Sequence, residues 1–200
     1  MTPRRVLIGT NNLHKAAEVR KILADYTIVT PKALGITLEV EETGSTFAEN
    51  AILKARAFCN ASGMITIADD SGLEVDALDG APGVHSHRYS PDPNATDADR
   101  RAWLIHNLQG KEMPWTARFR CAVAICFPEN PAAEVVYGTL EGEVIDQDRG
   151  NGGFGYDAIF LVPERGLTLA EMSDEQKNEI SHRGRAIEKI RPILRAYFKD

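Results

Sequence analysis

Ile65-Thr66-Ile67-Ala68-Asp69-Asp70-Ser71-Gly72-Leu73, running on to Gly83, is the stretch around which the rest of the chain is organised. A short β-prone apolar run, Met64 to Ala68, meets two adjacent carboxylates, a hydroxyl and a glycine. That pattern predicts a strand that delivers acids to a loop. A pair of hard oxygen ligands suits Mg2+, which keeps several waters and takes one or two carboxylates from protein. Asp, Ser and Gly are also the commonest turn residues, so the stretch by itself also fits a solvated turn.

The whole chain sets bounds on what such a site could serve. At 200 residues, 43% hydrophobic and 26% charged, it predicts one domain spanning residues 1–200, with room for two lobes around a cleft. A net charge of -6 and a pI near 5.4 exclude the basic surface that non-specific nucleic-acid or anionic-membrane binding needs. Arg4 and Arg5 are followed only by Val6-Leu7-Ile8, far short of a signal core, and no stretch approaches membrane-spanning length. A cytoplasmic location is therefore expected. Cys59, Cys121 and Cys126 have no CxxC spacing, and Cys121 and Cys126, five apart on a strand, should face opposite sides as small core residues.

Working outward, the N-terminal part supplies groups suited to an anion. Val6-Leu7-Ile8-Gly9 reads as a buried strand, then the polar turn Thr10-Asn11-Asn12-Leu13-His14-Lys15, then a helical run from Ala16 to Ala24. In that arrangement backbone N–H groups and the helix dipole receive a phosphate. Lys15 opposes the dipole, which a bound anion would relieve, although a solvated lysine fits the same spacing. The spacing of a Walker loop is absent. Tyr26 to Thr30 gives a second strand, and Glu41-Glu42-Thr43-Gly44 a second acidic pair. Thr46-Phe47-Ala48-Glu49 is a capping box opening a helix with Phe47, Ala51, Ala55 and Phe58 on its apolar face and Lys54 on another.

Beyond the acidic stretch, His85 and His87 would share a face if extended, but two histidines make a poor zinc site. Thr96 and Asp99 open a helix carrying Trp103, Leu104 and Leu108. Thr116 to Phe127 alternates as a strand, with Arg118 and Arg120 opposite its apolar face; Pro128 to Pro131 is a hairpin-like loop, and Val135–Thr139 and Gly142–Ile145 read as two further strands. In Gly150-Asn151-Gly152-Gly153-Phe154-Gly155-Tyr156-Asp157, glycines allow close backbone approach to a ligand, and Phe154 and Tyr156 are available to stack on a base; a flexible connection is the alternative. Helices follow over Leu169–Met172, Ser173–Asn178 and His182–Phe198, the last with Ile187, Ile190, Leu194 and Tyr197 inward and a kink at Pro192. Lys177, His182 and Arg183 bring three donors together at its start, a pattern that a salt-bridged surface helix also fits.

Taken in order, these motifs resemble the inosine triphosphate pyrophosphatase family, the bacterial-type XTP/dITP diphosphatases, over nearly the whole length. The resemblance rests on Thr10, Asn12, Lys15 and Glu18; on Glu41-Glu42-Thr43-Gly44 with Thr46-Phe47-x-Glu49-Asn50-Ala51; and on Ala68-Asp69-Asp70-Ser71-Gly72-Leu73. It continues through Gly80-Ala81-Pro82-Gly83, Gly152 to Asp157, Lys177 and Ser181-His182-Arg183. It implies an elongated α/β fold with a long mixed β-sheet and flanking helices, two lobes around a central nucleotide-binding cleft, and a homodimer.

By the same resemblance, Thr10, Asn11, Asn12, Leu13, His14 and Lys15 bind the triphosphate of a non-canonical purine nucleotide. Asp70 is the metal-linked catalytic acid-base, and Glu41, favoured over Glu42, a further Mg2+ ligand. Lys54, Ser71, Phe154, Gly155, Tyr156, Asp157, Lys177, His182 and Arg183 hold the nucleotide, with His182 and Arg183 reading the carbonyl at C6 of the base. Asn11 stands where the family usually has glycine, a place for positive φ that Asn tolerates. A nucleotide-sensing regulator would leave Asp69 and Asp70 unexplained, and His182-Arg183 favours purines over the modified pyrimidine or methylated nucleotides of a neighbouring family.

Overall fold

The computed structural model describes residues 4–199. Its strands are β1 Arg5–Ile8, β2 Thr27–Val29, β3 Thr66–Val75, β4 Trp115–Phe127, β5 Asn130–Val144, β6 Phe160–Val162 and β7 Leu167–Thr168. The helices are α1 Leu13–Ile22, α2 Phe47–Ser62, α3 Asp97–Leu108, α4 Asp174–Ile180 and α5 His182–Phe198. Among the described residues the strands form one mixed sheet in the order β2-β1-β3-β4-β5-β6-β7, parallel across β2-β1-β3 and antiparallel across β5-β6-β7. The expected α/β fold with a mixed sheet and flanking helices is present. The chain divides into two compact units.

The first unit is Met1–Asp70, Cys121–Gly138 and His182–Asp200. Strand alternation builds it in three layers. Ile65, just ahead of β3, and Ile67 on it, with Cys121, Val123 and Ile125 of β4, pack against Val19 of α1 and Ile187, Ile190 and Leu194 of α5. The next residues on the same strands, Ala68, Ala122, Ala124 and Cys126, face Ala51, Ala55 and Cys59 of α2. Cys121 and Cys126 thus lie on opposite faces, as five-residue spacing requires, and Cys59, Cys121 and Cys126 are free and buried. The Thr46 box caps α2, its hydroxyl accepting from Glu49 N–H, a device worth about 1 kcal/mol. Pro192 costs a helix interior about 3 kcal/mol. Burial of Ile187, Ile190 and Leu194, at about 1.5–3 kcal/mol each, outweighs that, and α5 runs through Pro192 to Phe198. Tyr197, expected inward, is instead 37% exposed.

The second unit is Ser71–Arg120 and Thr139–Ser181. One face of its sheet, with Leu73, Val75, Ala117, Phe119, Leu140 and Val144, packs on Leu104 and Leu108 of α3 and on Tyr156, Ile159 and Phe160. On the other face Arg118 pairs with Asp76 and Glu141, and Arg120 with Glu74. Alternation from Glu74 to Arg120 therefore produces a charged ladder. The two strands expected between Val135 and Ile145 are one strand, β5, since nothing in Gly138 to Glu141 interrupts an extended chain. His85 and His87 lie in the 3-10 turn Gly83–Arg88, so they do not alternate on an extended face, and His85 Nδ1 accepts from Arg88 at 3.2 Å.

Candidate active site

β1 pairs in parallel with β2 on one side and β3 on the other, so strand order reverses at β1. In sheets wound this way ligands bind beyond the carboxyl ends of the strands at the reversal. β1 ends at Ile8, opposite Ile67, and the next N–H, that of Gly9, donates to the Ile67 carbonyl at 2.7 Å. β3 does not stop at its acids, as the sequence suggested; it runs on to Val75. What stops is its neighbour. Asp69 and Asp70 stand on β3 just past the end of β1, where the flank of the strand opens.

Alternation sends the two acids to opposite faces. Asp69 follows Ile65 and Ile67 toward α1 and α5, where its Oδ2 meets Lys15 Nζ at 3.0 Å and Arg183 Nε at 3.1 Å. Arg183 also pairs with Glu18 of α1. Burial alone would raise the Asp69 carboxyl, but the Lys15 and Arg183 cations overturn it and hold the group well below the usual carboxylate range. Arg183 is 2% exposed and its cation is reinforced by Asp69 and Glu18 against the cost of burial. This departs from its expected role as a base-edge donor: the guanidinium is a buried tie from the start of α5 to Glu18 of α1 and Asp69 of β3.

Asp70 faces α2. Its Oδ2 accepts from Asn50 Nδ2 at 3.1 Å, and its Oδ1 from Lys54 Nζ at 3.3 Å. The same ammonium reaches Glu42 Oε1. Burial, and after it the Glu42 charge, raise the Asp70 carboxyl, against Lys54 and Lys15, and the net shift is upward. Lys54, desolvated but surrounded by Asp70, Asp69 and Glu42, is held above its ordinary value. Asn50, fully buried, accepts the Gly44 N–H on its Oδ1 at 2.8 Å while donating to Asp70, which couples the acidic segment to the acid on β3.

Of the two adjacent glutamates, the one that reaches Lys54 is Glu42, not the favoured Glu41. Residues 36–44 lie outside any helix or strand and alternate in burial, with Ile36, Leu38, Val40 and Glu42 half-buried and Thr37, Glu39 and Glu41 exposed. Period two was the available signal: it places Glu42 in register with the apolar residues. Asn12 caps α1, its Oδ1 accepting from His14 N–H at 2.9 Å and Lys15 N–H at 3.2 Å, and Thr10 Oγ1 accepts from Asn12 N–H. The side chain of Asn12 thus satisfies donors expected to meet a phosphate, leaving the Lys15 ammonium and the helix dipole to face an anion. Asn11 does not use the positive φ foreseen for it; its Nδ2 donates to the Leu38 carbonyl at 3.3 Å. Leu13 and His14 are exposed, Ser71 half-buried and His182 buried.

In the second unit, Lys177 Nζ donates to Asp157 Oδ2 at 2.7 Å and lies 4.8 Å from the centre of the Phe154 ring. Asp157 Oδ2 also accepts the Phe154 N–H at 2.8 Å. A Cβ at Gly153 would come within 2.2 Å of that carboxylate oxygen, and its φ of +69° suits glycine alone. Phe154, Asp157 and Lys177 are therefore brought together. Tyr156 is not available to stack on a base: it is buried among Leu73, Leu104 and Phe160, and its hydroxyl donates to the Ser86 carbonyl at 2.9 Å.

A helix start bearing Lys15, and a buried acid sharing Lys54 with Glu42, both at the carboxyl ends of parallel strands, define an α/β protein equipped for a phosphate chain and a hard cation. Residues 6–193 match the model of the Ham1 family. The chain is 43% identical to the dITP/XTP pyrophosphatase of Bacillus licheniformis (96% of this chain, 98% of that protein) and 46% identical to that of Geobacillus kaustophilus (94% and 92%). A Ham1 protein from Coxiella burnetii of known structure is similar with a TM-score of 0.85 at 40% identity, covering 95% of this chain and 98% of that one. The chain belongs to the Ham1 family.

Proposed function

We propose that this protein hydrolyses non-canonical purine nucleoside triphosphates, dITP, XTP and ITP, to the monophosphate and pyrophosphate; its relatives are named dITP/XTP pyrophosphatases. The observation that carries this reading is the Lys54 ammonium shared between Asp70 and Glu42, one strand position from Lys15 on Asp69. Two carboxylates converging on one cation are a donor set of the kind Mg2+ takes, one or two protein acids with substrate oxygens completing the shell. Among the described residues no group of three His, Cys, Asp or Glu forms a full protein cage. Asp70 and Glu42 would hold the ion, and when bound it supplies charge neutralisation along the phosphate chain.

Asp70 orients and deprotonates the attacking water, with Asn50 fixing one carboxylate oxygen so that the other faces the reaction. A cation beside Asp70 lowers its basicity, so positioning of the water matters more than base strength. Lys15 and Lys54 offset the charge that develops as pyrophosphate leaves. Thr10 to Lys15 take the triphosphate, and Ser71 the adjoining part of the nucleotide. Phe154 presents a ring for the base, with Gly155, Asp157 and Lys177 shaping its surroundings. His182 donates to the C6 carbonyl, whereas adenine would set an amino group against that donor. A polar mismatch of this kind can select by ~10⁴-fold.

The reading carries with it a homodimer, which light scattering tests, and a cytoplasmic enzyme; no described helix is long and apolar enough to cross a membrane. Pyrophosphate release from dITP, XTP, ITP, GTP and ATP, each with and without Mg2+, tests the function. The three non-canonical substrates should lead and require the metal. Equal turnover of ATP, or none of any nucleotide, overturns the reading.

A further inference from the structure

The loop from Gly150 to Asp157 carries glycine at 150, 152, 153 and 155, a composition that by itself would leave Phe154 free to sample many positions. The structure holds it from outside the loop. Asp97 and Arg101 stand four residues apart on α3, on one face of the helix. Both reach Gly155. The Gly155 N–H donates to Asp97 Oδ2 at 2.7 Å, and Arg101 Nη1 donates to the Gly155 carbonyl at 2.8 Å. The two polar groups of one peptide residue are thus gripped by one helical turn.

The grip is itself braced. Arg101 Nε lies 2.9 Å and 3.1 Å from the two carboxylate oxygens of Asp148, and Arg101 Nη2 2.5 Å from Asp148 Oδ2. The other Asp97 oxygen pairs with Arg100. Gly155 has a φ of +62° and open space where a Cβ would stand, so its main chain turns toward α3 without strain. On the other side of Phe154, Asp157 takes the Phe154 N–H and Lys177. The residue that carries the ring is therefore tied on both flanks, once by Asp157 and once by the α3 pair.

We propose that Asp97 and Arg101 are positioning residues for nucleoside binding: by fixing Gly155 they order the Phe154 ring before the base arrives, and so set affinity for the nucleoside part of the substrate without taking part in phosphate chemistry. The proposal rests on the assignment of Phe154 to the base. Ordering a loop in advance removes a cost that binding would otherwise bear, so its loss should appear in affinity and leave the chemical step alone.

The test compares two product-like probes, inosine monophosphate, which needs the loop, and pyrophosphate, which does not. Binding of each is measured by calorimetry on the full-length chain, alongside KM and kcat for dITP. Arg101→Ala should weaken inosine monophosphate and raise KM about tenfold, with pyrophosphate affinity and kcat within about twofold. Asp97→Ala should repeat this, and Asp97→Asn, which keeps an acceptor for the Gly155 N–H, should recover most of the affinity. Because the two alanine variants cut the grip from opposite sides, either suffices if the other fails to fold. Loss of both probes together, or of neither, overturns the proposal. A wild-type protein that binds no inosine monophosphate overturns the assignment of the base site itself, a result distinct from an Arg101→Ala protein that binds as well as wild type.

Discussion

Asp69 and Asp70 are neighbours in sequence and occupy opposite electrical environments. On the α1/α5 face, Asp69 is enclosed with Lys15 and Arg183, its carboxyl pushed far down, its charge committed. On the α2 face, Asp70 shares one ammonium with Glu42, and its carboxyl is pushed up. Both are buried, so burial does not separate them. The ratio of cations to anions on each face does: two cations, Lys15 and Arg183, for the two acids Asp69 and Glu18 on the first, and one cation, Lys54, for the two acids Asp70 and Glu42 on the second. The first face is built to hold a fixed anion, and the second to gain from a further cation.

The largest way to break this contrast is at Asp70. Asp70→Asn should keep the fold and lose about 10³-fold in kcat for dITP, within the usual range for a removed general base. Near-normal turnover in the folded variant would remove Asp70 from the chemistry. A failure of Arg183→Ala to alter anything but substrate preference would equally undo the division of roles, because a buried tie must show itself in stability.

Next comes Asp69, where the effect should fall on stability. Asp69→Asn leaves Lys15 and Arg183 without their shared anion, and breaking a buried pair costs about 3–5 kcal/mol. The pH dependence follows from the direction of the shift. A carboxyl held below its unfolded value of 3.8 stabilises the fold above that pH, and the contribution is lost as pH falls through the lower folded value. Urea unfolding of wild type and variant should therefore differ most near neutrality and converge in acid below pH 3.8. A gap that stays constant into acid would mean the ion pairs are not its source.

The smallest effect sharpens the choice between adjacent glutamates. Glu42→Gln should raise the Mg2+ concentration needed for half-maximal activity by about tenfold, and Glu41→Gln should leave it within about twofold, as expected for an exposed surface residue. A metal titration of both variants decides it, and the reverse order would return the ligand to Glu41.

Much of this was legible in the chain. Alternation in Thr116–Phe127 located β4 and divided Cys121 from Cys126, and the Thr46 box located the start of α2. Composition marked the run from Gly150 to Asp157 as a ligand loop, but spacing grouped Lys177 with His182 and Arg183, whereas its ammonium lies on Asp157 and by the Phe154 ring. The roles of Arg183, Tyr156 and Asn11 were not legible. A residue at a helix start offers the same spacing whether its side chain meets a ligand or, as Arg183 does, a carboxylate 114 positions away. Tyr156 has a ring suited to stacking, but its hydroxyl found the Ser86 carbonyl 70 positions earlier.

Sequence alone determined the elements, the faces they would bury and the acids and lysines available for chemistry, because periodicity, caps and residue type are local properties. Tertiary structure decided which acid met which cation. Ending β1 at Ile8 opened the flank of β3, and folding α1, α2 and α5 against its two faces gave Asp69 and Glu18 two cations and Asp70 and Glu42 only one. Charge balance at a buried carboxylate is a sum over neighbours that arrive from distant parts of the chain, and no window of sequence contains it.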